Sequence, residues 1–292
     1  MKYFYYPGCS LEGTAREYDL STRAFMAAVG AELQEIHNWI CCGATAAEPT
    51  SHLLSLSLPA INLAIAEKSN AESKNEALDI LVPCSACYLN LKRAEEVTRQ
   101  DSQVFEKINQ VLAVEGLEFH RTIRVRHLLD VICRDIGPGI LGNRLKKPLN
   151  GMSIAPYYGC QCLRPYRVFD DPEAPRSMEP ILQAAGASIH PWTMGNKCCG
   201  ASHMTTKPDV GLELVAAILQ QAKGADGIVT VCPMCQMNLE AFQKKISRKY
   251  KEDLAISILY LPQLLGLAIG LSEKELGLDL NLSVTDSFRK KI

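Results

Sequence analysis

The sequence predicts an α/β protein of two tandem, pseudo-symmetric units, each with a short parallel sheet and its binding residues in loops at the strand ends between the units. Three observations predict it. Apolar β-prone runs alternate with helical periodicity along the 292 residues, as expected of parallel strands covered on both faces by helices. One series of motifs occurs twice in the same order, which marks a duplicated unit. The candidate ligands of both copies fall at strand-to-loop or loop-to-helix junctions, where parallel α/β sheets place their sites. The expected units are residues 1–145 and 146–292, joined near Gly137 to Gly151, a stretch rich in Gly, Pro, Lys and Asn.

In the first unit, Lys2 to Tyr6 is a β-prone run leading to Gly8-Cys9. Glu17 to Val29 has helical periodicity and ends at Gly30, a suitable C-cap. Leu33 to Ile36 reads as a second strand running to Trp39 and Cys41-Cys42-Gly43. Leu53 to Glu67 reads as a helix, Leu78 to Val82 as a buried strand and Ala86 to Glu96 as a helix. The polar stretch Asn70 to Glu76 has no counterpart in the second copy and reads as a solvated loop insertion.

The second unit repeats the order. Ser153 to Tyr157 leads to Gly159-Cys160, Ala184-Ala185-Gly186-Ala187 matches Ala27 to Ala31, and Ser188 to His190 is the second strand. Trp192 then precedes Cys198-Cys199-Gly200. Val210 to Lys223 is a helix, Gly227 to Val231 a buried strand and Gln236 to Lys249 a helix. Both C-x-x-C motifs run on to an Asn-Leu pair, Asn90-Leu91 and Asn238-Leu239. Each unit closes on an apolar element, Val125 to Ile132 and Ile256 to Ile269.

Composition excludes several function classes. Formal net charge is −1 and the pI about 6.6, so no electrostatic footprint for nucleic acid or an anionic membrane exists. Met1 to Pro7 lacks the apolar core of a signal peptide. The run Ile256 to Leu271 is broken by Pro262, Gln263 and two glycines, too interrupted for a transmembrane helix. The expected compartment is the cytoplasm. No G-x-G-x-x-G follows a strand, so no flavin or nucleotide site is expected in this chain.

Twelve cysteines in a reducing compartment read as ligands or redox groups rather than disulfides. Ten of them fall into two sets: Cys9, Cys41, Cys42, Cys84 and Cys87, then Cys160, Cys198, Cys199, Cys232 and Cys235. A C-x-x-C between strand and helix sets its sulfurs near unpaired helix amides, which stabilise thiolates. Gly43 and Gly200 let each doublet's backbone bend close to what is bound. Zinc wants four ligands; a fifth cysteine is one too many but does not exclude it. The C-x2-C-x2-C-x3-C-P run of bacterial ferredoxins is absent. Five sulfurs, twice over, point to an iron–sulfur cluster of unusual ligation. Thioredoxin-like redox use of the C-x-x-C leaves the doublets unexplained.

The order Cys, Cys-Cys-Gly, C-x-x-C resembles the cysteine-rich CCG domain. Two copies, with Tyr-Pro-Gly-Cys-Ser-Leu-Glu-Gly-Thr-Ala from Tyr6 and Cys-Cys-Gly-Ala-Thr-Ala-Ala from Cys41, are similar to the B-subunit family of heterodisulfide reductases over nearly the whole chain. The resemblance implies a noncubane [4Fe-4S] cluster on each set, facing each other across a cleft that admits a disulfide. It implies as partners an iron–sulfur subunit resembling HdrC and a flavin subunit resembling HdrA, both of heterodisulfide reductase. The implied substrate is the coenzyme M–coenzyme B disulfide or another sulfur compound. Related CCG proteins include electron-transfer subunits of membrane-associated dehydrogenases, the alternative class.

Forty-one residues separate Cys42 from Cys84 and thirty-two separate Cys199 from Cys232; the polar insertion accounts for the difference. Cys162 has no counterpart, since Leu11 stands in its place; it reads as a spare thiol near the cleft, or as an exchangeable sixth ligand. Cys133 reads as core. Tyr5, Tyr6, Tyr157 and Tyr158 adjoin the first cysteines and either pack or line the cleft with hydroxyls. Lys197 and His203 flank the second doublet and can give a proton to a departing thiolate; plain solvation is the alternative. Arg164 and Arg167 can bind a substrate anion or form surface salt bridges. Leu264 to Ile269 either docks a partner or is a buried helix.

Overall fold

A computed structural model describes residues 1–73 and 78–292. It contains two four-stranded sheets, every pairing parallel. The first sheet takes β1 (Lys2–Tyr5), β2 (Glu32–Glu35), β3 (Ile80–Val82) and β4 (Val125–His127) in the order β2-β1-β3-β4. The second takes β5 (Ser153–Tyr157), β6 (Ser188–Ile189), β7 (Gly227–Thr230) and β8 (Ser257–Tyr260) in the order β6-β5-β7-β8. The duplicated α/β architecture read from the motifs is the architecture observed. Strands β3, β7 and β8 are buried at every residue, which is why they read as continuous apolar runs.

The helices are α1 (Arg16–Ala28), α2 (His52–Ser73), α3 (Ser85–Gln100), α4 (Ser102–Leu112), α5 (Met178–Ala184), α6 (Pro208–Gln221), α7 (Pro233–Ala241), α8 (Gln243–Tyr250) and α9 (Leu261–Ala268), with several shorter helical turns. Helix α1 buries Tyr18, Ser21, Thr22, Phe25 and Met26, one stripe at helical spacing. Glu17 and Asp19 favour its N-terminal turn, and Gly30 follows its end at φ +83°. The Asp101 carboxylate caps α4 by accepting from the amides of Gln103 and Val104 at 2.9 and 3.0 Å.

Several sequence expectations need correction. The stretch Asn70 to Glu76 is not wholly a loop: α2 continues through Ser73, and 74–76 lie outside the described residues. The helix expected over Gln236 to Lys249 is two helices, broken at Phe242. Beside the break the Gln243 amide serves the backbone of Ile256, donating to its carbonyl at 3.0 Å and accepting from its amide at 3.1 Å. Helix α4 was not anticipated, and the junction at Gly137 opens with a short helix, Gly137–Gly142. Leu264 to Ala268 belong to α9, which is buried throughout and packs on α1; this is the buried-helix reading, not the docking one.

One hydrophobic core runs through both halves, and a second, smaller one lies in the second half. Tyr18 of α1 stacks face to face on Tyr260 at the end of β8, centroids 3.9 Å apart and planes 2° apart. The repeat supplies the matching pair on the other side: Phe169 lies nearly parallel to His127, 6.1 Å away. Among the described residues no helix is long and apolar enough to cross a membrane.

Candidate functional site

In both sheets the strand order reverses beside the first strand, so β1 and β3, and β5 and β7, flank a topological switch point. The cysteines gather there. Cys9 follows β1 and Cys84 follows β3, where it is the N-cap of α3 with Cys87 in the first turn. Cys232 takes the same place before α7, and Pro233 opens that helix. The doublets come in on the loops after β2 and β6. All ten cysteines are free thiols. Cys9, Cys41 and Cys198 are exposed and Cys160 half-buried, while Cys42, Cys84, Cys87, Cys199, Cys232 and Cys235 are buried. Each set therefore has a buried floor and an open rim.

Sulfurs approach in pairs: Cys42 Sγ lies 3.4 Å from Cys87 Sγ, and Cys41 Sγ 3.9 Å from Cys9 Sγ. Among the described residues no group of three or more Cys, His, Asp or Glu side chains is spaced to hold a single metal ion.

The doublet loops are pinned identically in both halves. Tyr6 donates its hydroxyl to the Ile40 carbonyl at 2.7 Å, and Tyr157 donates to the Lys197 carbonyl at 2.7 Å. Asn90 donates to the Cys42 carbonyl at 3.1 Å, and Asn238 to that of Cys199 at 2.6 Å. Trp39 and Trp192 pack against the two tyrosine rings. The Asn-Leu repeat thus has a physical reason: the asparagine reaches from the helix to hold the doublet. Both tyrosines are fully buried; they brace the loops and do not line a cleft. Tyr5 donates to Asp19 at 2.7 Å, and Tyr158 bonds to Glu179.

Glycines fit the sites in two ways. A Cβ at Gly8 would stand 2.7 Å from Cys87 Sγ, and one at Gly159 3.0 Å from Cys235 Sγ. Both positions have φ near +70°, so glycine clears room beside the sulfurs. At Gly43 and Gly200 a Cβ would instead meet Leu58 and Ala47, or Leu214 and Gly211. Those glycines let each doublet pack on the helix behind it.

The electrostatics favour one charge per sulfur pair. The Cys87 thiol and then the Ala44 amide and Asn90 hold Cys42 down at about 7 against burial. Cys160, the Gly200 amide and His203 hold Cys198 down at about 6. Cys235, its own amide and that of Met234 hold Cys232 at about 7. Burial and the neighbouring Cys41 push Cys9 up to about 11. Hydrogen bonding to Cys42 and Cys84, then burial, push Cys87 well up, and Cys199 and Cys232 do the same to Cys235. Five thiolates held this close repel one another unless a cationic group sits among them. Free sulfurs, glycine clearance and that charge demand fit a thiolate-bound iron–sulfur group.

The other candidates sort as follows. His203, half-buried in the turn Ala201–His203, lies close enough for its charge to lower Cys198. The Lys197 side chain is exposed; its carbonyl accepts from Tyr157 and its amide donates to the Met194 carbonyl at 3.1 Å. Arg164 pairs with Glu173 at 3.0 Å and donates to the Pro172 carbonyl, and Arg167 pairs with Asp171 at 2.8 Å: these are salt bridges. Cys133 is half-buried and donates to the Ser177 carbonyl at 3.1 Å; burial raises it to about 12. Cys162 is buried and donates to the Tyr158 carbonyl at 3.2 Å.

Sequence reasoning missed the residues that join the two sets. The Tyr18 hydroxyl lies 3.1 Å from the Pro83 carbonyl and 3.2 Å from that of Val231. Those residues immediately precede Cys84 and Cys232, so one side chain ties both C-x-x-C turns together. Its register partner in the second copy is Phe169, which has no hydroxyl, so comparing the copies could not flag it. Gly8 and Gly159 were findable, since both copies place glycine directly before the first cysteine.

Fold and site define a class: a doubled parallel α/β protein with a five-cysteine set at each switch point. The chain belongs to the CCG family, whose cysteine-rich domain matches residues 3–92 and again 154–240. It is 34% identical to the 8-methylmenaquinol:fumarate reductase membrane anchor subunit of Wolinella succinogenes over 96% of both chains. It is 32% identical to the B subunit of the ferredoxin/F420H2-dependent CoB-CoM heterodisulfide reductase of Methanosarcina acetivorans, over 79% of this chain and 78% of that one. A protein of Archaeoglobus profundus that is itself like the heterodisulfide reductase B subunit is 27% identical over 92% of this chain and 91% of its own. A crystal structure of a hypothetical protein from Helicobacter pylori shares the fold, with TM-score 0.75 at 18% identity; the match covers 97% of this chain and 52% of that one. These matches support an iron–sulfur oxidoreductase role for the chain.

Proposed function

We propose that the chain is the disulfide-reducing subunit of a heterodisulfide-reductase-like complex. Each unit, residues 1–145 and 146–292, carries one noncubane [4Fe-4S] centre. Cys9, Cys41, Cys42, Cys84 and Cys87 hold the first, and Cys160, Cys198, Cys199, Cys232 and Cys235 the second. The observation that supports the reading is the Tyr18 hydroxyl within reach of both the Pro83 and Val231 carbonyls, which brings together the residues directly before Cys84 and Cys232. When bound, the centres would supply the two electrons that cleaving an S–S bond requires, one at a time. The chain's residues do the rest. The buried cysteines and the braced doublets fix the sulfurs, and the open rim at Cys9, Cys41, Cys160 and Cys198 admits substrate. His203, beside Cys198, holds a proton for the departing thiolate, and Lys197 lends positive charge at the same rim. Electrons enter from an HdrC-like iron–sulfur protein, fed by an HdrA-like flavoprotein, in the cytoplasm.

A second reading has a specific observation behind it: full-length similarity to a fumarate reductase anchor subunit. In that reading the chain passes electrons within a membrane-associated dehydrogenase and performs no disulfide chemistry. Metal analysis and turnover of the purified complex separate the readings. Iron and sulfide near four each per unit, with disulfide cleavage abolished in both Cys41→Ala and Cys198→Ala, is the expected result. Full cleavage in both variants sinks the proposal, quinol oxidation without disulfide turnover favours the second reading, and zinc without iron overturns both.

A further inference from the structure

Outside the cysteine sets, the second half holds an open cavity of about 590 Å³ between α5, the loop before it and the loop that leads from β6 towards Cys198. Small-molecule sites run to roughly 300–1,000 Å³. The first half closes the matching groove with charge. There Arg23 of α1 reaches across to the end of β2, pairing with Asp19 at 2.9 Å and with Glu35 at 2.5 Å. The Trp39 indole donates to Glu35 at 3.3 Å. Arg23 is a wall of two separate hollows, of about 480 and 490 Å³.

The second copy lacks that bridge. Counted from Gly30 and Gly186, which follow α1 and α5, Glu179 stands in the place of Arg23 and Pro191 in the place of Glu35. The second half therefore keeps an acid on the helix and a tryptophan on the loop. It has neither the cation nor the loop carboxylate that join them in the first half. One oxygen of the half-buried Glu179 takes the Tyr158 hydroxyl. Among the described residues its other oxygen takes no bond from another residue, the Arg176 guanidinium pairs with no carboxylate, and the Trp192 indole N–H has no acceptor. Other polar side chains of the wall are engaged: Glu173 with Arg164, and His190 with the Gln221 carbonyl. Arg176 and Glu179 thus share one cavity, opposite in charge and not paired with each other.

We propose that this cavity binds a free α-amino acid, whose ammonium pairs with Glu179 and whose carboxylate pairs with Arg176 and accepts from the Trp192 indole. The ligand supplies in the second half both charges that Arg23 and Glu35 supply in the first. A guanidinium fork suits a carboxylate, and Pro175, Pro180 and Pro191 give the ligand's side chain apolar walls. The loop that carries Trp192 runs on through Gly195, whose carbonyl accepts from the Gly159 amide at 3.2 Å, to Cys198. An occupied cavity therefore braces the loop behind the second cysteine set. The inference does not depend on what the cysteines bind.

Isothermal titration of the purified protein with L-leucine tests this, beside isoamylamine and isocaproate, which each keep one of its two charges. L-leucine should bind, and loss of either charge from the ligand should weaken binding about tenfold or more, the weight of a hydrogen bond between charged groups. Glu179→Gln and Arg176→Gln should each do the same to L-leucine. The double variant Glu179→Arg with Pro191→Glu rebuilds the ion pair of the first half and should abolish binding; should it not fold, the single variants carry the test. No binding of L-leucine, equal binding of isoamylamine or isocaproate, or undiminished binding in both single variants overturns the inference. Iron and sulfide content and disulfide turnover of the same samples decide the proposed function separately.

Discussion

Gly8 shows how one missing side chain shapes the first site. Its φ of +71° suits glycine, and a Cβ there would stand 2.7 Å from Cys87 Sγ. The left-handed conformation alone costs another residue about 1–2 kcal/mol, and the contact would also push the sulfur aside. Gly8→Ala should halve the iron bound per chain while the second set stays loaded. Unchanged iron would mean that the glycine serves the turn only. The same scale shows what repetition makes visible in a sequence. Ten cysteines, two asparagines and two buried tyrosines were marked by repetition, because each interacts with a partner inside its own copy. Ser85 and Tyr18 were invisible because their partners lie 146 and 213 residues away.

Among elements, α1 and the end of β8 decide how the halves meet. Tyr18→Phe keeps the stack on Tyr260 but removes the hydroxyl shared by the Pro83 and Val231 carbonyls. We expect a loss of about 0.5–1.5 kcal/mol for the hydrogen bonding, read from urea unfolding. Tyr18→Ala empties the contact as well and should cost about 3–5 kcal/mol. Equal losses in the two variants would show that the ring contributes nothing beyond its hydroxyl. Most strands and helices were legible because each carries its own periodicity. The break at Phe242 was not; beside it the Gln243 side chain bonds to the backbone of Ile256, a contact outside the helix. Nor was the continuation of α2 past Glu67, where polar residues concealed a helix whose periodicity had already been set upstream.

For the molecule as a whole, two buried carboxylates between the halves make stability depend on pH. Burial first, and then Glu17 of α1, raise Glu240 of α7 to about 7, against hydrogen bonds from the Leu282 and Ser283 amides. The folded protein keeps that proton to a higher pH than the unfolded chain, whose carboxyl ionises near 4.5. Between those values the folded state binds more protons, so stability should fall as pH rises and level off above about 7. At about 1.4 kcal/mol per pH unit the drop is on the order of 3 kcal/mol. Glu240→Gln should flatten the curve of unfolding free energy between pH 5 and 8; an undiminished slope would place the titrating group elsewhere. By itself the sequence determined the duplicated α/β plan and marked the repeated cysteines by their spacing. Strand and helix periods and motif spacings are local properties that a chain carries in order. Only the tertiary structure decided that the two C-x-x-C turns meet at one tyrosine and that the Ser85 hydroxyl of the first half donates to the Val231 carbonyl of the second, because packing two similar surfaces together fixes contacts that no local pattern encodes.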